Sequence, residues 1–242
     1  MHSTLYAPLQ QALAAEQPVA VATVIAGAAV GTQWLIRPQL PTLTTSGDAV
    51  LTDLITRDAQ QLLDRGSHGE LTYGETTVFV ECYPPPPTII MVGAVHIAVD
   101  LTSYAKVLGF RTVVIDARGA FATAERFAHA DELVHAWPDE ALQGRLHVNT
   151  AVVVLTHDPK LDDPALQVAL PSSARYVGAL GSKKTHAARV ERLRVCGVSE
   201  ADIARLHAPI GLPIGGRTPA EIALSIIAEI VAVRNERQAR RE

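Results

Sequence analysis

The spacing of apolar residues changes its period along the chain, and the changes mark the elements. Leu5 to Ala15 repeats apolar residues at helical intervals. Val19 to Ile25 is a β-branched run that reads as a strand, with Gln33-Trp34-Leu35-Ile36 as its pairing partner. From Gly47 to Leu63 the period returns to about 3.6, on Val50, Leu51, Leu54, Ile55 and Leu62, and Gly66 supplies the stop. Glu70–Tyr73 and Thr76–Cys82 then read as a hairpin across Gly74-Glu75.

Beyond this point the pattern alternates between short apolar strands and helices. Strand Thr88–Val92 leads to helix Val95–Leu108, stopped by Gly109, and to strand Arg111–Ile115. Strand Thr150–Leu155, helix Pro164–Leu170, strand Arg175–Ala179, helix Ser182–Cys196 and a long helix Pro219–Arg234 follow. Continuous apolar strands separated by helices predict a parallel sheet covered on both faces, a doubly wound α/β domain. Such sheets bind ligands beyond the carboxyl ends of their strands. Pro84-Pro85-Pro86-Pro87 fits neither a helix interior nor a central strand, so it predicts the boundary. The expected organisation is a smaller α+β domain over 1–83, a stiff linker at 84–87 and the α/β domain over 88–242. The arginine-rich tail from Arg234 to Glu242 reads as a solvated helix end, complementary to the helix dipole.

Composition narrows the function without naming it. Of 242 residues, 48% are hydrophobic and 19% charged, which suits a sizeable core. A net charge of -4 and a pI near 6.1 argue against a general nucleic-acid binder. Two cysteines, Cys82 and Cys196, make no disulfide framework and read as apolar packers. No run approaches the ~20 apolar residues of a membrane span, and the N-terminus lacks a signal-peptide pattern. A cytoplasmic location is therefore expected. There is no C-x-x-C, H-E-x-x-H or G-x-S-x-G motif to indicate a metal site or a nucleophile.

Candidate chemistry sits in five loops that leave strand ends. The first, Gly93-Ala94-Val95-His96-Ile97-Ala98, keeps one glycine of a dinucleotide turn, G-x-G-x-x-G. Ala98 is a mild replacement, whereas the Val95 isopropyl group is expected where a diphosphate would lie. The helix start still offers N–H groups to an anion. Asp116-Ala117-Arg118 follows the second strand, where an acid grips a ribose and an arginine meets a phosphate; a capped turn with a surface ion pair accounts for it as well. His157, in Thr156-His157-Asp158-Pro159, stands at a central strand exit, as a functional histidine or as part of a turn. Gly178, Gly181, Ser182, Lys183 and Lys184 form a phosphate cradle or a plain helix cap. The fifth loop carries His207, Gly211, Gly215, Gly216 and Thr218. Thr218, Pro219 and Glu221 complete a capping box, and the rigid loop ahead of it exceeds what a cap requires.

Read in order, GAVHIA, VVIDAR with FATAERF, LTHD, YVGALGSKK and HAPIGLPIGGRTPAEIALSIIAEIVAVR resemble the C-terminal domain of the XdhC/CoxI family. The resemblance spans essentially all of 88–242 and implies a Rossmann-like domain. It also implies an accessory factor, not a catalyst. Such a factor binds molybdenum cofactor (molybdopterin), protects it during sulfuration and inserts it into a xanthine dehydrogenase or CO dehydrogenase-type molybdenum hydroxylase. The implied partners are the hydroxylase apoenzyme, a cysteine desulfurase-type sulfurtransferase and a second copy in a homodimer. Gly93, His96, Asp116, Arg118, His157 and the glycine, serine, lysine, histidine and threonine positions above are the implied cofactor-binding residues. Two departures stand out. The family's GAGH loop has Val95 here in place of its second glycine. The family's GGGC-type N-terminal motif corresponds to Leu43–Val50, which has no cysteine, so the N-terminal domain is a degenerate version. An NAD(P)-dependent oxidoreductase, disfavoured by Val95, and an interaction module without ligand are the alternatives.

Overall fold

The chain divides inside the proline run into two units, Met1–Pro86 and Pro87–Glu242. The computed structural model describes residues 3–239, with the side chains of all of these except 3, 183 and 236–239.

The first unit contains α1 (Ser3–Ala14), β1 (Val19–Ala26), β2 (Gln33–Ile36), β3 (Leu43–Thr44), α2 (Ala49–Asp64), β4 (Gly69–Tyr73) and β5 (Thr76–Tyr83). Its strands form an antiparallel sheet in the order β3-β2-β1-β5-β4. The two-residue period of β1 sorts its side chains between two cores. Ala20, Ala22 and Val24 pack with Ile55, Ala59 and Leu63 of α2, whereas Val19 and Val21 pack with Leu5, Leu9 and Ala12 of α1. Asp48 caps α2 by accepting from the Leu51 N–H at 2.9 Å. Val50 does not share the apolar face assigned to it and is 73% exposed. It lies five residues before Ile55, about 140° around the helix from the buried stripe. Cys82 is buried, and burial pushes its thiol up to about 12.

The second unit contains β6 (Thr88–Val92), α3 (His96–Val107), β7 (Arg111–Ile115), β8 (Glu132–Val134), α4 (Pro138–Ala141), β9 (Thr150–Val154), α5 (Pro159–Ala169), β10 (Tyr176–Ala179), α6 (Lys183–Val195), α7 (Glu200–Ile203), β11 (Leu206–His207) and α8 (Pro219–Ala239). All six strands are parallel, in the order β11-β10-β9-β6-β7-β8. From β6, β7 and β8 therefore build outward in one direction and β9, β10 and β11 in the other, the 3-2-1-4-5-6 order of a Rossmann sheet. Every residue of β6 and β9 is buried. Ile89 and Met91 face a core shared with α3 and α8, and Ile90 and Val92 face one shared with α5 and α6.

Several boundaries differ from those the pattern predicts. Helix α5 starts at Pro159, not Pro164, because Asp158 caps it through the Lys160 N–H at 3.0 Å. Proline suits the first turn, and the earlier of the two prolines takes that place. Helix α8 runs past Arg234 to Ala239, and residues 240–242 of the expected tail lie outside the described residues. Strands β8 and β11 are too short, at three and two residues, to give a period. Among the described residues no helix is long and apolar enough to cross a membrane.

Candidate cofactor-binding site

Strands β6 and β9 lie side by side at the point where the strand order reverses, so the loops that leave them part and open a crevice. Gly93 turns the chain there with φ +108°, and a Cβ at this position would stand 2.4 Å from Thr156 Cγ2. Only glycine fits both the backbone angle and the approach. The next residue, Ala94, donates its N–H to Asp116 Oδ2 at 2.8 Å. Val95 occupies the N-cap of α3, makes no side-chain cap bond and packs against the α3–α8 core. His96 opens the helix and is exposed.

Asp116 is fully buried. Its Oδ1 accepts from the Arg118 backbone N–H and Nε, both at 2.9 Å, and its Oδ2 accepts from Ala94 and from Arg118 Nη2 at 2.9 Å. Burial pushes this carboxyl up, but the Arg118 guanidinium and the two backbone N–H groups outweigh burial and hold it below the usual range. Arg118 also lies over the Phe121 ring at 4.6 Å. The pair fixes the first two loops to each other, and every oxygen of the Asp116 carboxylate is engaged within the chain.

At the exit of β9, Thr156 Oγ1 donates to Asp162 Oδ1 of α5, while His157 is exposed. Asp162 accepts from Arg189 Nη2 of α6 at 3.0 Å, with side-chain exposures of 1% for Arg189 and 2% for Asp162. Burial raises the Asp162 carboxyl above its ordinary value, against the Thr156 and Arg189 bonds. Arg189 Nη2 also donates to the Leu180 carbonyl at 2.9 Å, but Nε and Nη1 have no partner among the described residues. Ser182 caps α6 by accepting from the Thr185 N–H at 3.2 Å. Lys184 is exposed; the Lys183 side chain lies outside the described residues. The motif pattern did not single out Asp162 and Arg189. A usable signal was present, because adjacent acids Asp162-Asp163 in one helix match Arg189 and Arg192, a turn apart, in the next.

The fifth loop is held from α8. Glu229 accepts from Tyr176 Oη at 2.5 Å and from the Gly211 N–H at 2.8 Å, and its Oε1 lies 3.3 Å from His207 Nδ1. His207 also stacks on Tyr176, with ring centroids 4.5 Å apart. Burial pushes the Glu229 carboxyl up, yet these partners hold it below its usual value. Gly178 and Gly211 are close-packing positions: a Cβ would meet Ile210 at 2.6 Å from the first and Ser225 Oγ at 2.3 Å from the second. The capping box forms, with the Arg217 and Thr218 N–H groups bonding Glu221 and the Glu221 N–H bonding Thr218 Oγ1 at 3.3 Å. A Cβ on Gly216 would meet Glu221 at 2.7 Å, and one on Gly215 would meet nothing within 4 Å.

Two of the predicted loops meet in one open cleft. Its walls are His96, Val99, Asp100, Arg126, Thr218, Pro219 and Ala220. The N-termini of α3 and α8 thus face the same space, and each brings the positive end of a helix dipole. Arg126 sits between them and is braced by Nη1 bonds to the Ala94 and Phe121 carbonyls at 3.1 and 2.7 Å. His96 and Thr218 line this cleft and Gly93 and Asp116 do not, while Gly181 faces Arg189 Nη1. His207 turns to Glu229. Among the described residues no group of three or more His, Cys, Asp or Glu side chains is arranged to hold a metal.

Residues 89–230 match the family model of the XdhC Rossmann domain. A Bacillus subtilis protein named as a probable xanthine dehydrogenase component is 33% identical over 160 residues, 66% of this chain and 46% of that protein. The molybdenum cofactor insertion chaperone PaoD of Escherichia coli is 30% identical over 135 residues, 52% of this chain and 42% of that protein. The chain spans less than half the length of these curated relatives. A solved Bacillus halodurans structure described as a xanthine dehydrogenase is 22% identical and superposes with a TM-score of 0.58, over 97% of this chain and 95% of the other, a likeness of fold.

Proposed function

The chain belongs to the XdhC Rossmann-domain family, and from that premise we propose that it holds an anionic molybdopterin-type cofactor and assists its insertion into a molybdenum hydroxylase. The observation that carries this reading is the similarity to a molybdenum cofactor insertion chaperone. The donor set of the cleft fits such a group. Arg126, His96 and the Thr218 hydroxyl supply polar contacts, Val99, Pro219 and Ala220 supply an apolar wall for a ring, and two helix N-termini favour a phosphate. When bound, the cofactor supplies the molybdenum centre its client uses. The residues of this chain hold and shield; they need no proton transfer of their own. Sulfuration by a cysteine desulfurase-type partner, a homodimer and a cytoplasmic location belong to the same proposal.

The strand order would also suit a nicotinamide dinucleotide. Val95 at the α3 cap and the full engagement of Asp116 support that reading less well. The test is reconstitution. A cofactor-free molybdenum hydroxylase is supplied with cofactor, with and without this protein, and its recovered activity is measured. Faster or fuller activation with the protein, reduced by Arg126→Ala, is expected. Activation that is the same with and without the protein overturns the proposal.

A further inference from the structure

Among the described residues of the cleft wall, Asp100 alone works against a phosphate. A carboxylate repels an anion and so opposes what Arg126 and the two helix starts supply. It lies half-buried in α3, on the same helix face as His96 and Val99. No hydrogen bond or ion pair joins it to another described residue, Arg126 and His96 included. Arg126, in turn, gives its Nη1 donors to two backbone carbonyls, which fix the guanidinium without neutralising it. The cleft has a volume of about 410 Å³, within the range of small-molecule sites.

An acid and a cation that share one cleft without pairing stay available to a ligand that carries a complement to each. The anion of the ligand goes to Arg126. What goes to Asp100 is set by its chemistry: a carboxylate only accepts, and its two oxygens suit two parallel N–H donors. The ring N–H and the amino group of a 2-amino-4-oxopyrimidine form such an edge, which pterin and guanine share. Adenine sets its amino group beside a ring acceptor, and a carboxylate placed against that acceptor is repelled. Val99, Pro219 and Ala220 line the same space and suit the faces of a flat ring.

We propose that Asp100 selects the ligand of this cleft by bonding the 2-amino-4-oxo edge of a pterin ring, with the phosphate monoester held toward Arg126. The inference rests on the reading of this cleft as the holder of a phosphate-bearing pterin, and it names the residue that tells a pterin from other flat phosphorylated rings.

The probe is the phosphate monoester of 6-hydroxymethylpterin, titrated into the full chain beside its lumazine counterpart, in which an oxo group replaces the amino group. The lumazine keeps the ring and the phosphate but sets a carbonyl against one carboxylate oxygen. The wild type is expected to bind the pterin roughly ten-fold or more tightly than the lumazine. Asp100→Asn presents one acceptor and one donor, which match the lumazine edge; it is expected to weaken pterin binding about ten-fold and to abolish the preference. Arg126→Ala is expected to weaken both ligands alike and to leave their ratio within about two-fold. Equal binding of both ligands by the wild type, no binding of the pterin, or a preference that survives Asp100→Asn overturns the inference. The first two need no variant, so the test stands if Asp100→Asn fails to fold. Guanosine monophosphate carries the same edge, and Asp100-dependent binding of it without the pterin overturns the pterin as the ligand. Molybdenum cofactor is titrated in parallel. Equal cofactor binding by wild type and Asp100→Asn overturns the inference and leaves the chaperone reading standing. Asp100-dependent pterin binding without any cofactor binding supports the edge site and overturns the reading it rests on.

Discussion

Gly93 and Asp116 together hold the mouth of the crevice, and each makes a separate prediction. Gly93→Ala puts a Cβ 2.4 Å from Thr156 at a positive φ, so a loss of about 2–4 kcal/mol in denaturant unfolding is expected. A change below about 0.5 kcal/mol would mean the loop relaxes freely. Asp116→Asn replaces an acceptor oxygen with donors facing N–H groups, and about 1–3 kcal/mol is expected to be lost at pH 7. The folded carboxyl lies below its unfolded value, so its contribution is present above about pH 4 and is lost as pH falls through the folded value. The stability gap between wild type and Asp116→Asn should therefore narrow on acidification, and a gap that widens contradicts the assignment. At this scale the sequence was only partly legible. It marked Asp116 and Arg118 but not that they bond each other, because a side chain's partner depends on which loops the sheet order brings together. Arg189 went unremarked for the same reason: in a helix rich in arginine, nothing local separates the buried one from those in solvent.

Helices and strands were easier to read, because a period repeats over many residues. Strand β6 coincides with the expected Thr88–Val92, and α6 differs from its expected range only at the capping residues Ser182 and Cys196. The capping box of α8 was written in Thr218, Pro219 and Glu221. Thr218→Ala should lower stability by about 0.5–1 kcal/mol, measured by thermal unfolding, and no change would mean that the Glu221 bonds hold the helix start alone. What the period could not show is how the fifth loop is fastened. Glu229 reaches from α8 to β10, β11 and Gly211 at once. Removing it by Glu229→Ala strands the Tyr176 hydroxyl and the Gly211 N–H, and a loss of about 2–4 kcal/mol is expected. A loss no larger than that of an exposed α8 residue would deny Glu229 this role.

The whole molecule joins an antiparallel unit to a parallel one, and the change of sheet type was visible in the chain. A hairpin signal before the proline run gave way after it to short apolar strands separated by helices, the pattern of a parallel sheet covered on both faces. The strand order itself was not visible, since β8 and β11 are too short to carry a pattern. That order places the ends of β6 and β9 beside each other, whereas the cleft lies between the starts of α3 and α8. The family reading came from motif order in 88–242 and agrees with the family match over 89–230. The claim on which the account turns is that this fold holds a pterin cofactor rather than a nucleotide or nothing. Direct binding by the full chain tests it, with molybdenum cofactor, NAD and NADP titrated separately. Saturable binding of the cofactor, weakened by Arg126→Ala and absent for both dinucleotides, is the predicted result. Binding of NAD or NADP alone, or of none of the three, would contradict it.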